Sequence, residues 1–97
     1  MARWISLLRL VRPGAGPSPT EREAGIVDRH FAHLTREHEE GRILLVGPCE
    51  DFAFGVVIFE APDEAAARSF MESDPAIAEG LMTGELHPFR VSLWRGG

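Results

Sequence analysis

The apolar positions change period several times along the chain, and each change marks an element boundary. From Arg3 to Val11 the period is two. Trp4, Leu8 and Leu10 fall on one side and Ile5, Leu7 and Val11 on the other, which predicts a strand with apolar residues on both faces. Pro13 to Pro19 (PGAGPSP) sustains neither a strand nor a helix period and reads as a loop. Thr20 and Glu23 have the spacing of a capping box, and Glu21 and Glu23 suit the positive end of a helix dipole. The helix they open is expected to run to about Glu40, with Gly41 as its left-handed stop and Arg42 as a cation near its carboxyl end. On this helix Ile26, Val27, Phe31 and Leu34 share one arc, while Asp28, Arg29, Thr35, Arg36 and Glu39 fall mostly outside it. His30 falls inside the arc. A polar, titratable ring on a buried stripe needs a hydrogen-bond partner.

The second half repeats the alternation of periods. Ile43 to Val46 is a short apolar strand closed by Gly47-Pro48, and a second strand spans roughly Phe54 to Glu60, so an antiparallel hairpin is expected. Pro62-Asp63-Glu64 opens a helix whose stripe uses Ala66, Ala67, Phe70 and Met71. Ser73-Asp74-Pro75 breaks that helix, because the residue before proline is pushed out of the helical region. A turn or two of helix from Pro75 to Glu79 stops at Gly80, and a last strand runs from about Leu86 to Trp94. Pro88 inside that strand implies an edge position or a bulge.

The order β-α-β-β-α-β with right-handed crossovers predicts an α+β fold, the ferredoxin-like plait: a four-stranded antiparallel sheet with both helices on one face. Val56 and Ile58 oppose Val57 and Phe59, and Leu44 and Val46 oppose Ile43 and Leu45, so both faces of the sheet are apolar. Two helices cover one face only. The other would leave an apolar patch too large for a monomer, which predicts a homodimer through the exposed sheet face.

Length and charge narrow the function. The 97 residues make one domain, 1–97, of ordinary globular composition at 44% hydrophobic and 26% charged. A net charge of −5 argues against general affinity for nucleic acid or anionic lipid. The stretch Phe52 to Phe59 resembles the aromatic strand of an RNA-recognition motif, but Glu50 and Asp51 stand where a basic residue and a glycine belong. The amino-terminal run is too short and too charged for a signal peptide or a membrane span, and one cysteine, Cys49, excludes an internal disulfide; cytoplasmic residence is the expectation.

Among candidate chemistries, His30 with Asp74 is a carboxylate-oriented general acid/base pair if the two helices bring them together. The competing reading of Asp74 is structural, an N-cap before a proline at the first helical position. His30 with His33 is a possible metal pair, but no third ligand follows at recognisable spacing, so no metal and no cofactor are expected. His38 suits the negative end of the helix dipole as a surface group, and His87 lies beside Pro88, facing a pocket or water. Cys49 has acidic neighbours and no cation to make it a nucleophile.

The run H-x-x-H-L-x-x-x-x-E-x-G-R-I-L-x-x-G-P, followed by a hairpin, then A-x-x-F-x-x-x-D-P and H-P-F-R-V, resembles the YCII-related family over nearly the whole chain. The resemblance implies a dimeric α+β barrel, two plaits packed sheet to sheet. It also implies a catalytic dyad of a histidine on the first helix and an aspartate in the D-P turn. Counted from the G-R-I-L turn, these positions are His30 and Asp74. One member of the family is a dehydrochlorinase of a chlorinated hydroxyquinol. Two functions are therefore expected in competition. One is a small cofactor-independent lyase or isomerase with its small-molecule pocket lined by Trp4, Leu8 and Phe70. The other is a non-catalytic ligand-binding or accessory dimer.

Overall fold

The computed structural model describes residues 1–95. Its strands and helices follow in the order β1 (Ala2–Leu10), α1 (Glu21–Glu39), β2 (Ile43–Pro48), β3 (Gly55–Ala61), α2 (Glu64–Glu72), α3 (Pro75–Ala78) and β4 (Met82–Pro88), with a 3-10 turn at Pro13–Ala15 inside the first loop. The strands form one antiparallel sheet in the order β2-β3-β1-β4, the ferredoxin-like α+β plait. Among the described residues no helix is long and apolar enough to cross a membrane.

Local chemistry explains the boundaries of α1. The Thr20 hydroxyl accepts from the Glu23 N–H at 3.1 Å and the Glu23 carboxylate accepts from the Thr20 N–H at 2.8 Å, so the capping box is complete. At the other end Gly41 takes φ 87°, the left-handed conformation that only glycine adopts without steric cost.

The row Trp4, Ser6, Leu8 of β1 pairs with Phe59, Val57 and Gly55 of β3, which places these side chains on the helix-covered face. Trp4, Leu8, Val57 and Phe59 form the main core together with Leu34, Ile43, Ala61 and Ala67. A second cluster of Ala15, Ile26, Ala76 and Leu81 ties α1 to α3 and to the 3-10 turn. Phe59 and Ile26 are both 0% exposed, each burial stabilising the fold by about 1.5–3 kcal/mol.

Three expectations are corrected. In β2 an irregularity between Ile43 and Leu45 sets Ile43 opposite Phe59 and Leu45 opposite Ile58, so those two residues face opposite sides. A plain alternation would have kept them together. The last strand begins at Met82 rather than near Leu86 and ends at Pro88. Thr83-Gly84-Glu85 looks like a strand breaker, yet Gly84 pairs with Leu8 under α2, where a Cβ would stand 2.7 Å from Met71 Sδ. The glycine is there for close approach, and β4 is an edge strand that a terminal proline closes. On α1, finally, Ile26 and Leu34 are buried as expected, but Val27 is 37% and Phe31 66% exposed. The helix leans on the sheet and on α3 along the Ile26–His30–Leu34 line, and the Val27–Phe31 side overhangs a groove.

Candidate active site

His30 sits mid-way along α1, and Asp74 is the residue immediately before α3. Ion pairing holds these elements in register beside the pair. The Arg29 guanidinium donates to Glu79 Oε1 at 2.7 Å and Oε2 at 3.1 Å, and Arg22 donates to the Glu79 carbonyl at 3.3 Å. The same contact with Arg29 keeps the Glu79 carboxyl below its ordinary range.

His30 Nδ1 lies 2.7 Å from Asp74 Oδ1 and 2.9 Å from Oδ2. Both side chains are largely buried, 14% and 6% exposed. Asp74 Oδ1 also accepts from the Ala76 N–H at 2.9 Å, so the aspartate caps α3 and engages the histidine at once. The N-cap and the histidine contact are made by one carboxylate. An ionised carboxylate only accepts, so toward ionised Asp74 it is His30 Nδ1 that donates, and Nε2 has no protein partner among the described residues.

Beside His30, α1 together with β2, β3 and the first loop bounds an open groove of about 780 Å³. His30 lines it and Asp74 does not. Its walls are mostly apolar: Leu8 and Val57 from the sheet, Val27, Phe31 and Leu34 from α1, Phe52 and Phe54 from the loop before β3 and the residue leading into it. Asp28, Thr35 and His38 add a few polar groups. Phe52 takes φ 65° and lays its ring against Gly16, closing one end of the groove with the two loops that flank it. A concave, mostly apolar site with few convergent polar groups is the usual form of a small-molecule site.

The other sequence-derived positions divide. Leu8 lines the groove. Trp4 lies in the core with its indole N–H donating to the Ala61 carbonyl at 3.3 Å, and Phe70 stacks on Phe59 at 4.6 Å between ring centres, so both stand behind the groove wall rather than in it. His38 Nδ1 is 3.0 Å from the Ile43 carbonyl, and His87 pairs with Glu85 at 2.6 Å among exposed residues. His33 is half-buried against Phe70, with ring centres 6.1 Å apart. Among the described residues no three His, Cys, Asp or Glu side chains gather as a metal site.

Three positions take from the fold a meaning that the sequence analysis did not give them. Ser6 is 2% exposed, and its signal in the chain was available: it is the one hydroxyl in the buried row Trp4, Ser6, Leu8. Val27 and Phe31, expected in the core, instead form the groove's outer wall.

Comparison with known proteins agrees with this architecture. The solved structure of a 5-chloro-2-hydroxyhydroquinone dehydrochlorinase from Burkholderia phenoliruptrix, in complex with 2,5-dihydroxybenzoquinone, is similar with a TM-score of 0.61 at 22% identity, covering 90% of this chain and 93% of that one. At that identity the likeness shows a shared fold. No curated protein matches the chain. The model of the YCII-related domain matches residues 8–90. That match spans the last three residues of β1 and every described helix and strand after it, and the chain belongs to the YCII-related domain family.

Proposed function

We propose that the chain is a small enzyme of the lyase or isomerase type in which His30 moves a proton on a small, mainly apolar ring compound bound in the groove. The observation that carries this reading is the His30–Asp74 pair at 2.7 Å, set so that His30 borders the groove while Asp74 stays behind it. Asp74 fixes the tautomer and stabilises the imidazolium that forms when Nε2 takes a proton, the role a buried carboxylate plays behind a general base. In an elimination, the base takes the proton, its bonding electrons become the new π bond, and the leaving group departs with its own electron pair. His30 returns the proton to solvent or to product, so the side chains balance the reaction without a cofactor. The similar fold in a dehydrochlorinase with a dihydroxybenzoquinone bound supports chlorinated hydroquinones as the first compounds to try. A homodimer, joined through the sheet face that the helices leave open, belongs to the same reading.

The test is chloride release and product absorbance with chlorinated hydroxyhydroquinones, alongside small lactones as isomerisation substrates. His30→Asn should lower turnover about 10²–10⁴-fold, the usual worth of a positioned general base, with the melting temperature little changed. Asp74→Asn keeps an N-cap side chain but loses the carboxylate, and should also lose most turnover. Turnover that survives His30→Asn in a folded protein sinks the proton-transfer role. Tight binding of such compounds without turnover moves the chain to the ligand-binding alternative.

A further inference from the structure

Behind the His30–Asp74 pair is a second, much smaller cavity. Ser6, His33, Phe70, Met71 and Asp74 line it, and it offers about 10 Å³ to the centre of a water-sized sphere. Two polar atoms in its lining, Ser6 Oγ and His33 Nε2, are buried and have no hydrogen-bond partner among the described residues. A buried donor or acceptor left unmade costs about 1–3 kcal/mol, and native interiors meet that cost with ordered water where no side chain reaches. A site for one water needs about 10–15 Å³ of such room and two to four polar partners. Ser6, His33 and the Asp74 carboxylate supply three.

We propose that this cavity holds a single ordered water that links the Asp74 carboxylate to Ser6 and His33, making those two side chains positioning residues for the His30 imidazole. The hydrogen bonds balance. The water donates one O–H to Asp74 and the other to His33 Nε2, and its oxygen accepts from the Ser6 hydroxyl. Asp74 then receives three donors: the Ala76 N–H, the His30 Nδ1–H and the water. A donor on a carboxylate draws off charge and loosens its hold on the imidazole proton, so the water tempers how strongly Asp74 binds His30. The functional consequence rests on His30 as the proton-transfer group; the water itself does not.

The test is a crystal structure fine enough to show ordered waters, combined with the NMR resonance of the His30 Nδ1 proton. Wild-type density should show one water within hydrogen-bond distance of Ser6 Oγ and Asp74. Ser6→Val fills the cavity and removes the hydroxyl, while His33→Phe keeps the ring packing on Phe70 and removes both nitrogens. Each should move the Nδ1 proton resonance downfield. The double variant should move it no further than the larger single, because all three lose the same water. If Ser6→Val fails to fold, His33→Phe alone carries the test. An empty cavity in the density, an unmoved resonance in the folded variants, or additive shifts would each overturn the proposal. None of these readouts needs a substrate, so a dead reaction with the water in place would count against the proposed chemistry and not against the water.

Discussion

At residue scale, single side chains do double duty. Asp74 caps one helix and holds a histidine on another. Glu23 completes the capping box and also takes the Arg12 guanidinium at 2.5 Å, tying the first loop to α1 beside the groove. The hydrogen bond from Arg12, with the Thr20 N–H second, holds the Glu23 carboxyl down at about 2 against an ordinary 4.5. A depressed carboxyl contributes stability that is fully present above the ordinary value and is lost as pH falls through about 4.5 toward about 2. Glu23→Gln keeps an acceptor for the Thr20 N–H but has no charge to lose. Its melting temperature should lie below wild type at pH 7, and the gap should close as the pH is lowered through that window. A gap that stays constant from pH 7 to pH 2.5 rules out the linkage. Of these roles, the sequence showed the capping box outright, because its partners are three residues apart. It did not show the Arg12 contact, which depends on how the intervening prolines fold the loop back.

At element scale, the close fit of α2 over β4 decides where the last strand lies. Gly84 is on the helix-covered face opposite Leu8, with Met71 and Ile77 packed above it. Gly84→Val would favour a strand intrinsically but drive methyl groups into Met71, and overpacking of this kind costs about 1–3 kcal/mol. Urea unfolding should show that loss, and Met71→Ala in the same chain should recover part of it. Unchanged stability in Gly84→Val would mean α2 rides higher on the sheet than described. The missed start of β4 has the same cause. Pattern reading counts a glycine against a strand, because the helix that requires it is distant in sequence. The β2 irregularity is similar: four apolar residues in a row cannot reveal which of them skips a face.

At the scale of the whole molecule, the sheet has one face under the helices and one without. Ile5, Leu7, Val56 and Ile58 lie together on the uncovered face, all half-buried within the single chain. Arg3–Glu60 and Arg9–Glu85 ion pairs flank them. A central apolar strip with a charged rim is the anatomy of a protein interface, and a stable one buries about 1,200–2,000 Å² in total. The homodimer in the proposed function makes a direct prediction: the chain sediments as a dimer, and Leu7→Glu sediments as a folded monomer. Wild-type sedimentation as a monomer at micromolar concentration would remove the dimer from the reading.

What the chain decided alone is whatever depends on neighbours in sequence. Element order, helix caps, the hairpin and the two-faced sheet follow from periodicity and from partners a few residues apart, and with them the plait. His30 was conspicuous for the same reason, as a polar ring on an apolar arc. Whether a carboxylate met it, which side of α1 would overhang a groove, and that Ser6 and His33 share a small cavity with Asp74 were decided by the tertiary fold. The His30–Asp74 contact joins residues 44 positions apart, and the small cavity gathers residues up to 68 apart, from Ser6 to Asp74. No local period carries that information, since only packing of α1, α2 and α3 on one sheet brings these groups together.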